Sequence, residues 1–328
     1  MHGFRLPARA RFLASLAALA VWLSSAAACR PTAVEPSEVT LTIATGGQGG
    51  AFYPLGVALS ELYSSRIPGL VVSIESGGSS QNVRAVEDGR AQIAFTQADV
   101  AYGAYRRGTE GDPRPYAQLR GITLLWVNTV HVAVPKGSPI QSIAELRGQR
   151  VSVGTRGSGT ETLAHIVLDS YALDYDDLAP AFLPFVQTIQ AVRDRQLDAA
   201  FVVAGLPTAA VSDLAEQPGL RLLPIPRDHV RTMRAQFPFL QPRVVPGGTY
   251  RDVTEDVETV GVSNLLVCRQ DLDERLVYRI TRELFDALPD LARTNRAARL
   301  IDLEQAPATP IPLHPGAARY FREREITQ

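Results

Sequence analysis

Apolar positions along the chain fall into short alternating runs that break into glycine-rich turns, and each turn opens a stretch of helical spacing. The run at 151–171 shows this most fully. Val151-Ser152-Val153 alternates as a half-buried strand does, a glycine-rich turn follows, and Leu163, Ile166, Val167 and Tyr171 share one helix face. The same order is predicted earlier: a strand over 40–44, a turn over 45–50 and a helix over about 53–65. Strands at about 70–75 and 92–96 flank a helix that Gly89 ends as a left-handed residue. Another helix starts near 96–99. A long apolar run at 121–134, interrupted by Asn128, Thr129 and His131, and its counterpart at 257–267 read as two strands crossing between halves of the molecule. Between them the pattern predicts a short helix over 140–148, strands over 181–186 and 199–203, and a helix over 187–196. Gly205-Leu206-Pro207-Thr208 opens a further helix with Pro207 in its first turn. Residues 224–256 read as long loops around a short helix. Helices at about 273–288 and 290–300 follow, and a terminal helix begins after His314, read as a structural residue of that helix start.

The turn at 154–160 suits an anion. Gly157 and Gly159 permit dihedrals closed to other residues and let a ligand approach the main chain. Ser158 and Thr160 offer hydroxyls as helix caps or donors. The unpaired N–H groups and the dipole at a helix start attract negative charge. No Gly-Lys-Ser/Thr follows, as a nucleotide-phosphate loop requires, and Arg156 stands where a nucleophile elbow has its first glycine.

The turn also recurs. Thr45, Gly47 and Gly49 match Thr155, Gly157 and Gly159 at an offset of 110 (155 − 45). Gln81-Asn82-Val83-Arg84-Ala85-Val86-Glu87-Asp88 before Ile93-Ala94-Phe95 matches Gln187-Thr188-Ile189-Gln190-Ala191-Val192-Arg193-Asp194 before Ala199-Ala200-Phe201, at an offset of 106 (187 − 81). Two matches in one order at nearly one offset describe two similar α/β lobes; convergence on common strand–helix patterning is the plainer alternative. Two lobes that aim glycine-rich helix starts at a shared crevice form a clamp. Ser76-Gly77-Gly78-Ser79-Ser80 is a third such turn, and Gln97 and Asp99 read as ligand contacts or helix caps, the cap for Asp99.

Composition adds compartment and exclusions. Residues 1–28 hold Arg5, Arg9 and Arg11, an apolar run over 12–23 and a small-residue stretch before Cys29, the layout of a secretory signal peptide. Without those three arginines the chain carries 30 basic against 34 acidic residues, so nothing in its charge favours nucleic acid. Cys29 stands where a bacterial lipoprotein carries its acyl chains, although Ala26 departs from the leucine common in such signals; plain cleavage after Ala28 is the alternative. A short extended tether over 29–38 follows. Cys268, the other cysteine, reads as a buried thiol, and a Cys29–Cys268 disulfide requires that Cys29 carry no acyl group. Lys136 is the sole lysine, which argues against lysine-based catalysis. Five histidines and two cysteines show no metal-ligand spacing, and His131 reads as a strand residue. No serine, histidine and carboxylate stand in a hydrolase order. Nothing positive supports an enzyme, and no cofactor or metal is implied.

Six motifs in order carry a resemblance. They are Thr45-Gly46-Gly47-Gln48-Gly49-Gly50-Ala51-Phe52-Tyr53, Ser76-Gly77-Gly78-Ser79-Ser80-Gln81-Asn82, Ala94-Phe95-Thr96-Gln97-Ala98-Asp99, Val153-Gly154-Thr155-Arg156-Gly157-Ser158-Gly159-Thr160-Glu161, Phe201-Val202-Val203-Ala204-Gly205-Leu206-Pro207-Thr208 and Pro312-Leu313-His314-Pro315-Gly316-Ala317. Together they resemble the TAXI family, the extracytoplasmic solute-binding receptors of tripartite ATP-independent periplasmic (TRAP) transporters, from about Leu41 to Arg322. The resemblance implies an α/β, two-lobed periplasmic-binding-protein (type 2) fold, each lobe a mixed sheet flanked by helices, with the ligand in the cleft between lobes. The signal peptide is then 1–28, the tether 29–38, the first lobe 39–128 plus 258–328 and the second 129–257. It implies capture of a small carboxylate, a glutamate-like amino acid or a dicarboxylate, and delivery to a TRAP permease in the membrane. The expected ligand contacts are Thr45, Gly46, Gly49, Gly50, Tyr53, Ser79, Asn82 and Gln97 from one lobe, and Arg156, Gly157, Ser158, Gly159, Thr160 and Pro207 from the other. Arg156 departs from the small or apolar residue expected there; it either adds a cation or turns to solvent. The expected location is the periplasm or cell surface, on a lipid anchor at Cys29 rather than a membrane span. A sensing lipoprotein that signals to a membrane partner without transport is the alternative.

Overall fold

The structure, a computed structural model, describes residues 39–47, 50–216 and 219–326. The signal peptide, the tether, Cys29 and Gly49 lie outside the described residues. No helix among the described residues is long and apolar enough to cross a membrane.

The polypeptide starts with β1 (Val39–Thr45), α1 (Phe52–Arg66), β2 (Leu70–Ser76), α2 (Ser79–Glu87), β3 (Ile93–Gln97) and α3 (Ala98–Arg107). It then crosses on β4 (Leu119–Pro135) and continues through β5 (Arg150–Ser152), α4 (Gly159–Asp169), β6 (Ala179–Ala181), α5 (Phe185–Arg193), β7 (Ala199–Ala204) and α6 (Ala209–Glu216). After β8 (Leu220–Leu222), α7 (Arg227–Gln236) and β9 (Gln241–Val245), it returns on β10 (Val257–Arg269) and ends in α8 (Glu274–Asp286), α9 (Leu288–Thr294) and α10 (Pro315–Glu323).

The strands lie in the order β2-β1-β3-β10-β4-β7-β5-β6, with β8 beside β4 and β9 beside β10. β1, β2 and β3 are parallel, as are β5, β6 and β7, and each trio is closed by an antiparallel crossing strand. β4 pairs with β10 over 119–129 and with β7 over 129–133, so one continuous strand belongs to both halves. Two parallel trios, each closed by a strand common to both, make the two-lobed, mixed α/β layout of a periplasmic-binding-protein fold. Parallel trios place their carboxyl ends, and the turns that follow, towards the junction of the lobes.

Burial explains the elements. Leu55, Leu59 and Tyr63 of α1 pack with Ile43, Ile93, Phe95, Trp126 and the inner faces of α8 and α10 in one core. A second core lies under α5 and α6 against β7. A third runs across the junction, from Val83 and Val86 of α2 and Val100 of α3 to Leu163 and Val167 of α4. Gly89 takes φ +76 after α2, and Cys268 is a fully buried thiol whose ionisation burial opposes. His314 caps α10, its Nδ1 accepting the Gly316 N–H.

Three expectations are corrected. The strand expected over 181–186 is only Ala179–Ala181, because Pro184 stands at the N-cap of α5 and the helix starts at Phe185. Pro207 precedes α6 rather than lying in its first turn, after a cis Leu206–Pro207 bond. The segment 224–256 is less irregular than its Pro, Gly and Arg content suggests: β9 pairs with the first five residues of β10, 257–261.

Candidate functional site

The junction is built from three helix starts of the first lobe and one of the second. At the end of β1, Thr45 is buried and its hydroxyl donates to the Glu75 carbonyl across to β2. Its methyl fills the space at Gly56, where a Cβ would lie 2.3 Å from it. Gly46 is buried beside Phe52, whose ring rests on Phe95 at 5.3 Å between centroids and meets Trp126 edge-on at 5.8 Å. Gly50 closes the turn with an N–H to the Gly47 carbonyl, and Tyr53 is half-buried in the first turn of α1. Among the described residues the start of α1 has no side-chain cap. Its N–H groups are left for a ligand or solvent.

Asn82 is committed to the main chain. Its amide donates to the Thr45 and Phe95 carbonyls at 2.8 and 2.7 Å, tying the ends of β1 and β3 together. It therefore positions the junction. Ser79 is buried in the first turn of α2, and Gln81 reaches back to accept the Gly78 N–H.

From the second lobe, Gly154 and Gly157 take φ of +89 and +72, and the Thr160 side chain lies where a Cβ on Gly154 would clash. Ser158 is the N-cap of α4 and its hydroxyl accepts the Glu161 N–H. Glu161 folds back and accepts the Gly157 N–H at 2.5 Å. Burial raises the Glu161 carboxyl above its ordinary range, against the pull of that N–H. So α4 carries a carboxylate of its own at the turn expected to attract one. Arg156 is exposed, its guanidinium 3.7 Å from the centre of the Phe182 ring, a cation–π contact. Pro207 is exposed.

The lobes touch through these turns. The Ser80 N–H donates to the Gly157 carbonyl at 3.1 Å, and a Cβ on Gly78 would lie 2.7 Å from that same oxygen. Gln97 lies flush against Gly159, the first residue of α4, where a Cβ would fall 2.1 Å from Oε1. Among the described residues the turn at 155–159 thus meets the turn at 77–80 rather than its sequence counterpart.

Gln97 is the N-cap of α3 and Asp99 lies in that helix's first turn, so the capping position expected for Asp99 belongs to Gln97. Both side chains are only 3% exposed. Gln97 Oε1 and both Asp99 carboxylate oxygens have no hydrogen-bond partner among the described residues. Burial lifts the Asp99 carboxyl to about 7; the Val100 and Asp99 N–H groups oppose this without closing a hydrogen bond of normal geometry.

Behind the turns, the crossing strands share a buried chain of hydrogen bonds. Trp126 Nε1 donates to Asn128 Oδ1, Asn128 Nδ2 to Asn264 Oδ1, and Asn264 Nδ2 to the Trp126 carbonyl. Asn264 is also the register partner of Gln97. The β4–β10 register shifts between Ser263 and Leu265, beside this network. Sequence reading missed Asp99 as more than a cap, Glu161, and the Trp126–Asn128–Asn264 chain. Ser158-Gly159-Thr160-Glu161 has the spacing of a capping box and was the available signal for Glu161. The asparagines had no local signal. Among the described residues no group of His, Cys, Asp and Glu could hold a metal ion.

Solved structures share the architecture. A protein of Bordetella bronchiseptica RB50 is 15% identical over 87% of this chain and 81% of its own, with a TM-score of 0.52. A Xanthomonas citri protein solved with a chloride ion bound is 13% identical over 87% and 95%, with a TM-score of 0.50. The periplasmic aliphatic sulphonate-binding protein of Escherichia coli is 19% identical over 89% and 86%, with a TM-score of 0.48. At these identities the likeness is one of fold. A family model matches residues 43–324, nearly all of the described chain, and by that match the protein belongs to the NMT1-like family.

Proposed function

We propose that this chain is an extracytoplasmic solute-binding receptor of the TAXI kind, which closes two lobes on a small carboxylate and presents it to a TRAP-type permease. The lobes are taken as 39–128 with 258–328, and 129–257. The chain is exported by residues 1–28 and held at the membrane surface through Cys29. The observation that carries this reading is the convergence of helix starts from both lobes on one junction, where Gln97 lies buried against Gly159 with an unpartnered oxygen. A protein built only for stability would pair or remove such a group, since a buried unpaired acceptor costs about 1–3 kcal/mol.

Magnitudes favour two-sided binding. One helix start offers a carboxylate about 0.3–1 kcal/mol, up to about 2 when partly buried. A charge-assisted hydrogen bond adds about 1.5–3 kcal/mol. Micromolar affinity needs about 8 kcal/mol. The uncapped start of α1, with Gly46, Gly50 and Tyr53 around it, suits the carboxylate; Ser79, Gln97 and residues 156–160 complete the cleft. Gly49, in the sequence before α1, and Pro207, before α6, are taken as further contacts.

A ligand held by both lobes binds the closed form better and shifts the population towards it. Small-angle scattering is expected to show a smaller radius of gyration when a carboxylate that binds by calorimetry is added. Binding with no compaction would remove the clamp.

A further inference from the structure

The start of α3 presents acceptors without donors. Gln97 Oε1, Asp99 Oδ1 and Asp99 Oδ2 are buried two residues apart and unpartnered among the described residues. Burial dominates the environment of Asp99 against two backbone N–H groups, and no charged side chain among the described residues offsets it. A buried carboxylate without a countercharge is unfavourable, so the group either holds its proton or meets a cation that something else supplies. Gln97 also lies flush on the first residue of α4, at the contact between lobes.

The opposite side is arranged the other way. The Gly157 N–H is taken by Glu161, the Ser158 hydroxyl by the Glu161 N–H, and Arg156 lies on Phe182. A dicarboxylate would need donor groups for both of its ends. Here two N–H donors of the second lobe's turn, those of Gly157 and Glu161, are already taken within it, and the unmet groups at the junction accept hydrogen bonds.

Resting on the receptor reading above, we propose that Gln97 and Asp99 form the seat of a protonated amine on the ligand, so that the solute is an amino acid rather than a dicarboxylate. An ammonium brings three N–H donors and one positive charge to three acceptors and one carboxyl. The ligand's own carboxylate remains for the uncapped start of α1. Asp99 is then the residue that sets specificity for amine over no amine.

Matched pairs test this on the mature protein: L-glutamate with glutarate, L-aspartate with succinate, and the remaining standard amino acids with their deamino acids. Each pair differs only in the amine. Calorimetry is expected to show at least one amino acid binding and its deamino partner at least about tenfold weaker. Asp99→Asn, folded as judged by circular dichroism, is expected to lose about tenfold or more towards the amino acid and to bind the deamino acid as before. Equal binding of both members of a pair by the wild type overturns the amine seat and leaves the receptor reading standing; this comparison needs no variant. Retention of the amine preference by folded Asp99→Asn also overturns it. Binding of no compound in either series overturns the carboxylate receptor itself, and the seat with it.

Discussion

His131 Nδ1 donates to the Val202 carbonyl at 3.1 Å, which leaves Nε2 to accept the Tyr250 hydroxyl at 3.0 Å; that hydroxyl in turn accepts the Thr208 N–H. The chain runs one way and needs a neutral imidazole. Burial depresses the His131 pKa from 6.5 to about 4, so between those values the unfolded chain binds the proton that the folded one refuses. Stability from this residue is complete above pH 6.5 and is lost as pH falls towards 4, by about 3 kcal/mol at about 1.4 kcal/mol per unit. Asp99 works in the opposite sense. Its pKa is raised from 3.8 to about 7, so the folded state holds the extra proton and stability falls as pH rises through that window. The two effects offset each other in the wild type over pH 4–6.5, and a variant is needed to separate them. In urea unfolding, the stability gap between wild type and His131→Gln is expected to widen by about 3 kcal/mol from pH 4 to 6.5. A gap independent of pH would mean that His131 carries no depressed titration.

The element that most changes the picture is α4. A helix start is attractive to anions only while its N–H groups are free. Ser158 takes the Glu161 N–H and Glu161 takes the Gly157 N–H, so the cap is completed from within the helix. Ser158→Ala is expected to lower global stability by about 1 kcal/mol, as loss of an N-cap hydroxyl does. Chemical unfolding would check this, and an unchanged midpoint would show that Glu161 alone holds the turn. The sequence spacing that made 154–160 look like an anion site is therefore also the spacing of a self-capping helix. Which of the two a turn becomes depends on where one glutamate side chain lies, and periodicity does not carry that information. The start of α1 has the same glycine pattern and no such cap.

At the scale of the molecule, the question is what holds the lobes together and what lets them part. Gly78 has φ −118, a conformation open to any residue, yet a Cβ there would lie 2.7 Å from the Gly157 carbonyl oxygen of the other lobe. Gly78→Ala thus leaves the first lobe unstrained and obstructs the closed arrangement alone. It is expected to change stability by less than about 1 kcal/mol while weakening ligand binding about tenfold or more and abolishing compaction in scattering. Unaltered affinity would place closure outside the Gly78–Gly157 contact. Behind that contact, β4 and β10 each run unbroken through both halves and are joined by the Trp126–Asn128–Asn264 hydrogen bonds. A satisfied buried network favours one arrangement of the two strands where the register between them shifts.

Local information was enough for much of this protein. Period-two and period-3.6 patterning, with Gly89 and Pro315 as punctuation, located most strands and helices within a few residues, because those signals report on neighbours along the chain. The glycine-rich turns, their recurrence and the two crossing strands were legible for the same reason. What lay beyond the sequence was every fact about partners distant along it. Asn82 reads as a ligand contact until its amide is found on the Thr45 and Phe95 carbonyls. Asp99 reads as a cap until its oxygens are found buried and unmet. The turn at 155–159 looks like the mate of 45–49 but meets 77–80, since the approach of two lobes follows from the register and twist of strands that both share. Sequence spacing decided which residues stand at helix starts; only the packing of β4 against β10 decided which of those starts face each other, and which polar groups are left without a partner.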